Sequence, residues 1–337
     1  MQERRASLRD VARSAGVSPQ TASRVANGEP NVAPVVRERV LVAMKELQYR
    51  PNAAARAIRR GAFRTVGVVY HSLHSVGTHR SLEEISECAA AAGYATTLMP
   101  LSAPSVDAAN GAFTRLGEMA VDVLIIIQPQ PFGIDDGLHL PIGLPTVMLG
   151  PPTMDGVASI EFDHGAGARE AVEHLLDLGH ATVHHIRGPV GAYSADSRSA
   201  QWAAVLREHG RPVPEVQQGD WSPASGYDAM RRILEAGEQP TAVFAANDQM
   251  ALGAYRAIRE AGLRIPEDVS VVGYDDIDEA AMFDPPLTTV IQDWALLGRE
   301  AVALALEMER GGRPETVTLD TRLVVRQSAA RPGAAAA

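Results

Sequence analysis

The sequence predicts an α/β protein: a three-helix, helix-turn-helix head at the N-terminus, followed by a larger core of two parallel-sheet lobes. Three observations carry this. Helix start and stop signals follow one another closely over residues 7–47. From Thr65 onward, short apolar runs alternate with amphipathic stretches, the rhythm of parallel βαβ units. The charge is also divided: the net −10 splits into +7 for residues 1–61, where twelve Arg or Lys face five acids, and −17 for the rest. A small cationic head on an anionic body fits a phosphate-binding module fused to a part that avoids nucleic acid.

Bulk properties narrow the class further. A chain of 337 residues with 46% hydrophobic content exceeds one ordinary core, so two or three globular units are expected. Every apolar run stops short of the roughly 18 residues a membrane span needs, and the opening MQERRASLRD is polar, so a cytoplasmic location is expected. Cys88 is the sole cysteine, which excludes an intrachain disulfide or a CxxC site and reads as a small apolar residue.

In the head, Ser7 with Asp10 three residues on makes a capping-box start, and Leu8, Val11 and Ala12 recur at helical spacing up to a stop at Gly16. Ser18 then caps a second helix with Pro19 at its first position and Thr21, Ala22, Val25 and Ala26 along it. A third helix, about Pro34 to Leu47, offers Val35, Val36, Val40, Val42, Ala43 and Leu47 to the small core. Helix-turn-helix geometry points the start of the second helix into a major groove. Beyond Tyr49, Pro51 breaks the chain, Asn52 can cap, and the Ala-rich stretch to Gly61 favours helix but is too short to be stable alone.

The stretch LRDVARSAGVSPQTASRVANG, followed by YRPNAAARAI, resembles the DNA-binding head and hinge of the lactose/galactose repressor family. The resemblance implies that Pro19, Gln20 and Arg24 read base edges, while Ser18, Thr21, Ser23 and Asn27 touch the DNA backbone. Gln pairs with adenine and Arg with guanine, each worth roughly 1–3 kcal/mol of discrimination. It further implies a hinge helix entering the minor groove through Asn52, Ala55, Arg56 and Ile58, with Ile58 in the wedge position usually held by Leu. Ala33 stands where many members have a capping Ser.

In the acidic body, the expected order is strand 65–70, helix 82–92, strands 94–101, 121–127 and 146–150, then helix 165–178, strand 181–188, helices 199–209 and 225–236, strand 242–247, helix 249–261 and strand 270–276. Two Rossmann-like lobes facing across a cleft follow, with ligands at the carboxyl ends of the strands. The segments HLLDLGH, GDWSPASGY, TAVFAANDQMALGAYRAI, SVVGYDDID and PPLTTVIQD are similar to the same family's bilobal core, of the type I periplasmic-binding-protein-like fold, and closer to its lactose-responsive branch than to its purine-sensing branch.

The resemblance assigns effector binding to Arg198, Trp221, Asn247, Asp275, Gln292 and Trp294, with His71 and Ser75 at the rim. The chemistry agrees independently: vicinal hydroxyls on a ring with apolar faces require planar bidentate groups plus an aromatic platform. Gly150 stands where lactose-responsive members carry an aspartate, which leaves the glycoside open.

The expected divisions are a head over 1–49, hinge and linker 50–63, and a core 64–331. Within the core, the N-lobe takes about 64–162 and 293–322 and the C-lobe about 163–290 and 323–331, with a disordered tail at 332–337. His164, His174, His180, His184 and His185 lack a completing thiol or acid pattern, and Asp275, Asp276 and Asp278 lack the glycine and distal Glu of a calcium loop, so no metal is expected. No GxSxG, Walker A or HExxH motif occurs, so neither an enzyme nor a cofactor is expected.

The resemblance therefore implies a DNA-binding transcriptional repressor whose operator affinity falls when a sugar, galactoside-like or another glycoside, enters the cleft. The alternative is a corepressor-driven regulator of the purine-sensing type. A sugar-transport binding protein and a sugar-modifying enzyme are the rivals from other classes. The tail after Val325 lacks a leucine heptad, so a homodimer is expected, with no membrane partner.

Overall fold

The structure, a computed structural model, describes residues 6–50, 61–73, 75–103, 105–127, 137–154, 156–237 and 239–333. The chain forms two compact units that divide between Phe63 and Arg64. The hinge candidates Asn52, Ala55, Arg56 and Ile58, and the tail from 334, lie outside the described residues.

The head is three short helices: α1 (Leu8–Ser14), α2 (Pro19–Ala26) and α3 (Pro34–Glu46). Ser7 and Asp10 form the reciprocal capping box, the Ser7 amide donating to Asp10 Oδ2 at 2.9 Å. Ser18 Oγ accepts the Thr21 amide at 3.1 Å to start α2, whereas Ala33 gives α3 no side-chain cap. Val11, Ala12, Ala22, Val25, Val40, Ala43 and Met44 make the core. Two residues expected there are corrected: Val35 is 70% exposed and Val42 50% exposed. The buried face of α3 runs through 40, 43, 44 and 47, and at 100° per residue positions 35 and 42 fall on the opposite side.

The second unit runs β1 (Thr65–Tyr70), α4 (Val76–Ala91), β2 (Ala95–Pro100), α5 (Val106–Gly117), β3 (Val123–Ile127), β4 (Thr146–Leu149), β5 (Ala158–Phe162), α6 (His164–Asp177), β6 (His184–Arg187), α7 (Tyr193–Glu208), β7 (Gln217–Gln218), α8 (Pro223–Glu235), β8 (Ala242–Ala245), α9 (Asp248–Glu260), β9 (Ser270–Val272), a 3₁₀ turn (Asp278–Met282), β10 (Thr289–Gln292), α10 (Trp294–Glu309), β11 (Thr316–Leu319) and β12 (Thr321–Val324).

The N-lobe sheet is parallel, in the order β11-β5-β4-β3-β1-β2. Its β3 strand, VLIII, is buried at all five positions, as a strand covered on both faces must be. The C-lobe sheet is ordered β7-β6-β8-β9 and also parallel; β10 pairs antiparallel with β12 beside it. Among the described residues the chain crosses between the lobes three times, at Phe162–His164, Gln292–Trp294 and Leu319–Thr321. Among the described residues no helix is long and apolar enough to cross a membrane, and Cys88 is half-buried against the N-lobe core.

Several element assignments differ from the sequence reading, which does not contain β5, β7, β10, α10, β11 or β12. Helix α4 begins at Val76 rather than near 82, and α5 went unread. Helix α7 begins at Tyr193 rather than near 199. In α7 the residues Ala195, Arg198, Trp202, Val205 and Leu206 are buried at three- and four-residue spacing, so a stretch that is polar in sequence is helical because tertiary burial selects one face. Arg198 consequently sits on the second turn of a helix, not just after a strand.

Helices α8 and α9 cross closely: a Cβ on Gly253 would lie 1.9 Å from the Pro223 carbonyl oxygen, and one on Gly226 would lie 2.2 Å from the Met250 carbonyl oxygen. Gly253→Ala is therefore expected to cost at least about 1–3 kcal/mol. Gly111→Ala, in α5 with nothing nearer than a flexible Arg115 tip at 3.7 Å, is expected to be neutral or stabilising by up to about 1 kcal/mol. Urea unfolding of the two variants checks the contrast; equal stabilities would contradict it.

Candidate nucleic-acid face and ligand cleft

On the head, the N-terminal turn of α2 leaves Pro19 and Gln20 exposed, with Arg24 one turn further on, while Ala22 and Val25 face the core. One helix face thus presents the three residues assigned to base edges. Ser18 and Thr21 hydroxyls lie 2.9 Å apart at the cap, and Asn27 Nδ2 donates to Ser23 Oγ at 3.3 Å, so the four backbone candidates bracket the same helix. Arg24 Nε rests 3.6 Å from Glu29 Oε2; both groups are about half exposed, and such a pair is worth at most about 1 kcal/mol, little hindrance to a better partner.

In the core unit, a cavity of about 600 Å³ opens between the lobes, lined by His71, Ser75, Arg198, Trp221, Asn247, Asp275, Gln292 and Trp294 among others. All eight residues assigned to effector binding meet there, from chain positions more than 200 residues apart. Arg198 is the hub. Its guanidinium lies over the Tyr274 ring, with Cζ 3.5 Å from the centroid, donates through Nη1 to the Ala246 carbonyl, and through Nη2 to Gln292 Oε1 at 3.3 Å and His164 Nδ1 at 3.2 Å. Asp275 Oδ1 stands 3.6 Å from Nη1. Arg198 Nε and Gln292 Nε2 are enclosed without a partner, so the cluster retains unused donors.

Burial pushes the Asp275 carboxyl up to about 6 against the opposing pull of Arg198. Burial, then the neighbouring Arg198 charge, holds His164 well below the ordinary imidazole range, so its neutral ring can accept at Nδ1.

The remaining walls follow from local chain geometry. Asn247 caps α9: its Oδ1 accepts the Met250 amide at 2.9 Å and its Nδ2 donates to the Trp221 carbonyl at 3.1 Å, leaving a second amide hydrogen. Gly188 lets the Trp221 indole lie against the backbone, since a Cβ there would come within 2.3 Å of the ring. Trp294 meets Phe162 edge-on at 4.9 Å. Ser75 precedes α4 without its side chain capping it, and His71 Nδ1 is enclosed without a partner.

Backbone strain is gathered at this site: Trp221, Asp275 and Asp276 have φ of 75°, 110° and 51°, each of a kind that costs about 1–3 kcal/mol. The buried Asp248 holds that turn, accepting from the Ile277 amide at 3.0 Å and from Thr289 Oγ1 at 2.5 Å. Burial first, and Asp275 second, push its carboxyl well above the usual range.

The three carboxylates 275, 276 and 278 do not converge. Asp276 pairs with Arg326 at 2.7 Å and Asp278 with Arg80 at 2.7 Å, the latter an ion pair between the lobes. No group of three metal-binding side chains occurs among the described residues. Sequence reasoning missed His164, Tyr274, Asp248, Glu161 and Tyr193. Only His164 and Tyr274 carried a signal, as polar residues just beyond apolar strands.

Comparison with known proteins fits both regions. Residues 7–52 match the model for bacterial regulatory proteins of the lacI family, and residues 172–329 match a periplasmic binding protein-like domain. The lactose operon repressor of Escherichia coli K12 is 38% identical over 310 residues, covering 90% of this chain and 85% of its own. The HTH-type transcriptional repressor PurR of Erwinia tasmaniensis is 33% identical over 332 residues, covering 96% and 97%. The lac repressor dimer bound to operator and the anti-inducer ONPF superposes with a TM-score of 0.86 at 35% identity, covering 97% of this chain and all of that one. A CelR–cellobiose complex gives 0.72 at 32% identity, covering 96% and 100%. With head and core both matched, the chain belongs to the lacI family of bacterial regulatory proteins, DNA-binding transcriptional repressors that carry a ligand-binding core.

Proposed function

We propose that this protein is a sugar-responsive repressor: a cytoplasmic homodimer that binds a pseudo-palindromic operator and releases it when a neutral glycoside occupies the cleft. The observation that carries the reading is the meeting of Arg198, Asn247, Asp275 and Trp221 in one cavity. Planar donors and acceptors beside an aromatic face match vicinal hydroxyls on a ring with apolar C–H faces. Pro19, Gln20 and Arg24 read base edges, Ser18, Thr21, Ser23 and Asn27 hold phosphates, and residues 50–63, with Asn52, Ala55, Arg56 and Ile58, couple core to DNA. Release requires the sugar to prefer the lobe arrangement that does not bind operator, with a coupling of roughly 1–3 kcal/mol or more.

The relatives of the PurR type favour a second reading, in which the ligand is a corepressor that tightens operator binding. The sign of the ligand's effect in a gel-shift titration separates the two.

Arg198→Ala is expected to abolish the response to sugar while operator binding persists; loss of both, or of neither, contradicts the assignment. Gln20→Ala is expected to relax discrimination at one base pair by about 1–3 kcal/mol without changing the salt dependence, read by competition between operator variants. Sugar affinity is expected to depend on Asp275 ionisation. The carboxylate accepts hydroxyl donors and balances Arg198 above pH 6, and protonation below it removes both roles, so affinity falls several-fold from pH 7.5 to 5. Calorimetry should find the dependence weaker in Asp275→Asn; an unchanged profile would count against this role.

A further inference from the structure

Glu29 is a carboxylate placed where neither attraction to DNA nor helix stability calls for one. It stands just past the C-terminal end of α2, where the helix dipole disfavours an anion. Of the other described acids of the head, Asp10 closes the capping box of α1, and Glu38 and Glu46 lie on α3.

The backbone holds Glu29 in place. Gly28, at φ 73°, turns the chain back after α2; the Glu29 amide donates to the Arg24 carbonyl at 3.0 Å, and Arg37 Nη2 donates to the Glu29 carbonyl. The side chain is thereby set to reach back to Arg24, whose Nε lies 3.6 Å from Glu29 Oε2. Among the described residues, Glu29 is the one group that engages the Arg24 guanidinium, so Nη1 and Nη2 remain for another partner.

Those two groups form the fork that pairs with guanine O6 and N7. An arginine on a recognition helix can instead turn to a phosphate, a contact that carries no sequence information. For Arg24 that turn strands Glu29: the carboxylate is left without a cation among phosphates, where desolvation and like charge both oppose it. With Arg24 on guanine, Nε keeps Glu29 and the fork takes the base, so both charges are met. In the free protein the pair is half exposed and weak, and the difference between the two poses arises as the interface excludes water.

We infer that Glu29 is a specificity-determining residue of the head: it holds Arg24 by Nε for a guanine and penalises its use on phosphate. Affinity for arbitrary DNA falls and discrimination at one base pair rises, since specificity needs a repulsive element as well as an attractive one. This rests on the reading of Arg24 as a base reader.

The test uses the full chain and a library of duplexes of randomised sequence. The site that wild type selects is resynthesised with each base pair at the position most sensitive to Arg24→Ala, and competition binding compares these and a non-operator duplex at one salt concentration. Glu29→Ala is expected to lower discrimination at that position about three- to tenfold and to tighten binding to the non-operator duplex about two- to fivefold. The tighter binding also shows the head to be folded. Glu29→Gln, neutral but of the same size, should tighten non-operator binding by a similar factor. In an Arg24→Ala background, Glu29→Ala should change discrimination by less than about twofold.

Discrimination kept in Glu29→Ala but lost in Arg24→Ala overturns this role alone. So does an equal loss in both backgrounds, since Glu29 then reads a base by itself, and so does non-operator binding that both Glu29 variants leave unchanged. Arg24→Ala with wild-type discrimination at every position overturns the base-reading assignment together with this inference.

Discussion

Arg198 carries its charge into the interior between the lobes, where an uncompensated cation would cost several kcal/mol, and the surrounding structure is arranged around meeting that cost. The Tyr274 ring covers its face, the Ala246 carbonyl and Gln292 take its hydrogens, neutral His164 accepts another, and Asp275 lies close. These partners come from β8, β10, the start of α6 and the turn after β9, so one side chain ties together the C-lobe strand ends and two of the three crossings. The satisfaction is incomplete. Arg198 Nε and Gln292 Nε2 remain unpaired, which leaves the hub ready for a ligand rather than closed on itself.

Behind that hub, the turn from Tyr274 to Asp278 holds Asp275 and Asp276 in a conformation that L-residues seldom adopt. Asp248 supplies the restraint through Ile277 and Thr289, and Gly273 leaves room for its carboxyl, since a Cβ there would fall 2.2 Å from Oδ1. The turn then distributes three carboxylates to three arginines on different elements: Asp275 to Arg198, Asp276 to Arg326 and Asp278 to Arg80. The last reaches α4 on the other lobe. Asp278 is exposed and Arg80 partly so, and the pair adds at most about 1 kcal/mol. A contact of that strength forms and breaks at little cost.

Much of this was legible before any fold was seen, for reasons specific to particular residues. Ser7, Asp10, Ser18 and Pro19 announce helix starts through bonds spanning three residues, and these bonds form as read. Val123 to Ile127 reads as a buried strand because nothing in it tolerates water. Trp221, Asn247 and Asp275 follow strands and could be placed at a sheet's carboxyl edge. The sequence reading starts this helix only at Ser199, since the Ser and Asp residues of Tyr193 to Arg198 disfavour helix locally while Ala195, Arg198 and Trp202 favour it only through burial. Glu161 gave no signal at all: a lone acid in an apolar strand has the same appearance whether it faces solvent or a cavity.

The sequence by itself determined the helical head and the two rounds of strand and helix, because each depends on periodicity or capping over a few residues, and it named the kinds of side chain available to a ligand and to DNA. Tertiary structure alone decided which of these meet. The bond from Arg198 to Gln292 closes over 94 positions and the ion pair from Arg80 to Asp278 over 198. Contacts at that separation are set by how the sheets stack and where the chain crosses between them, and no local pattern encodes that geometry.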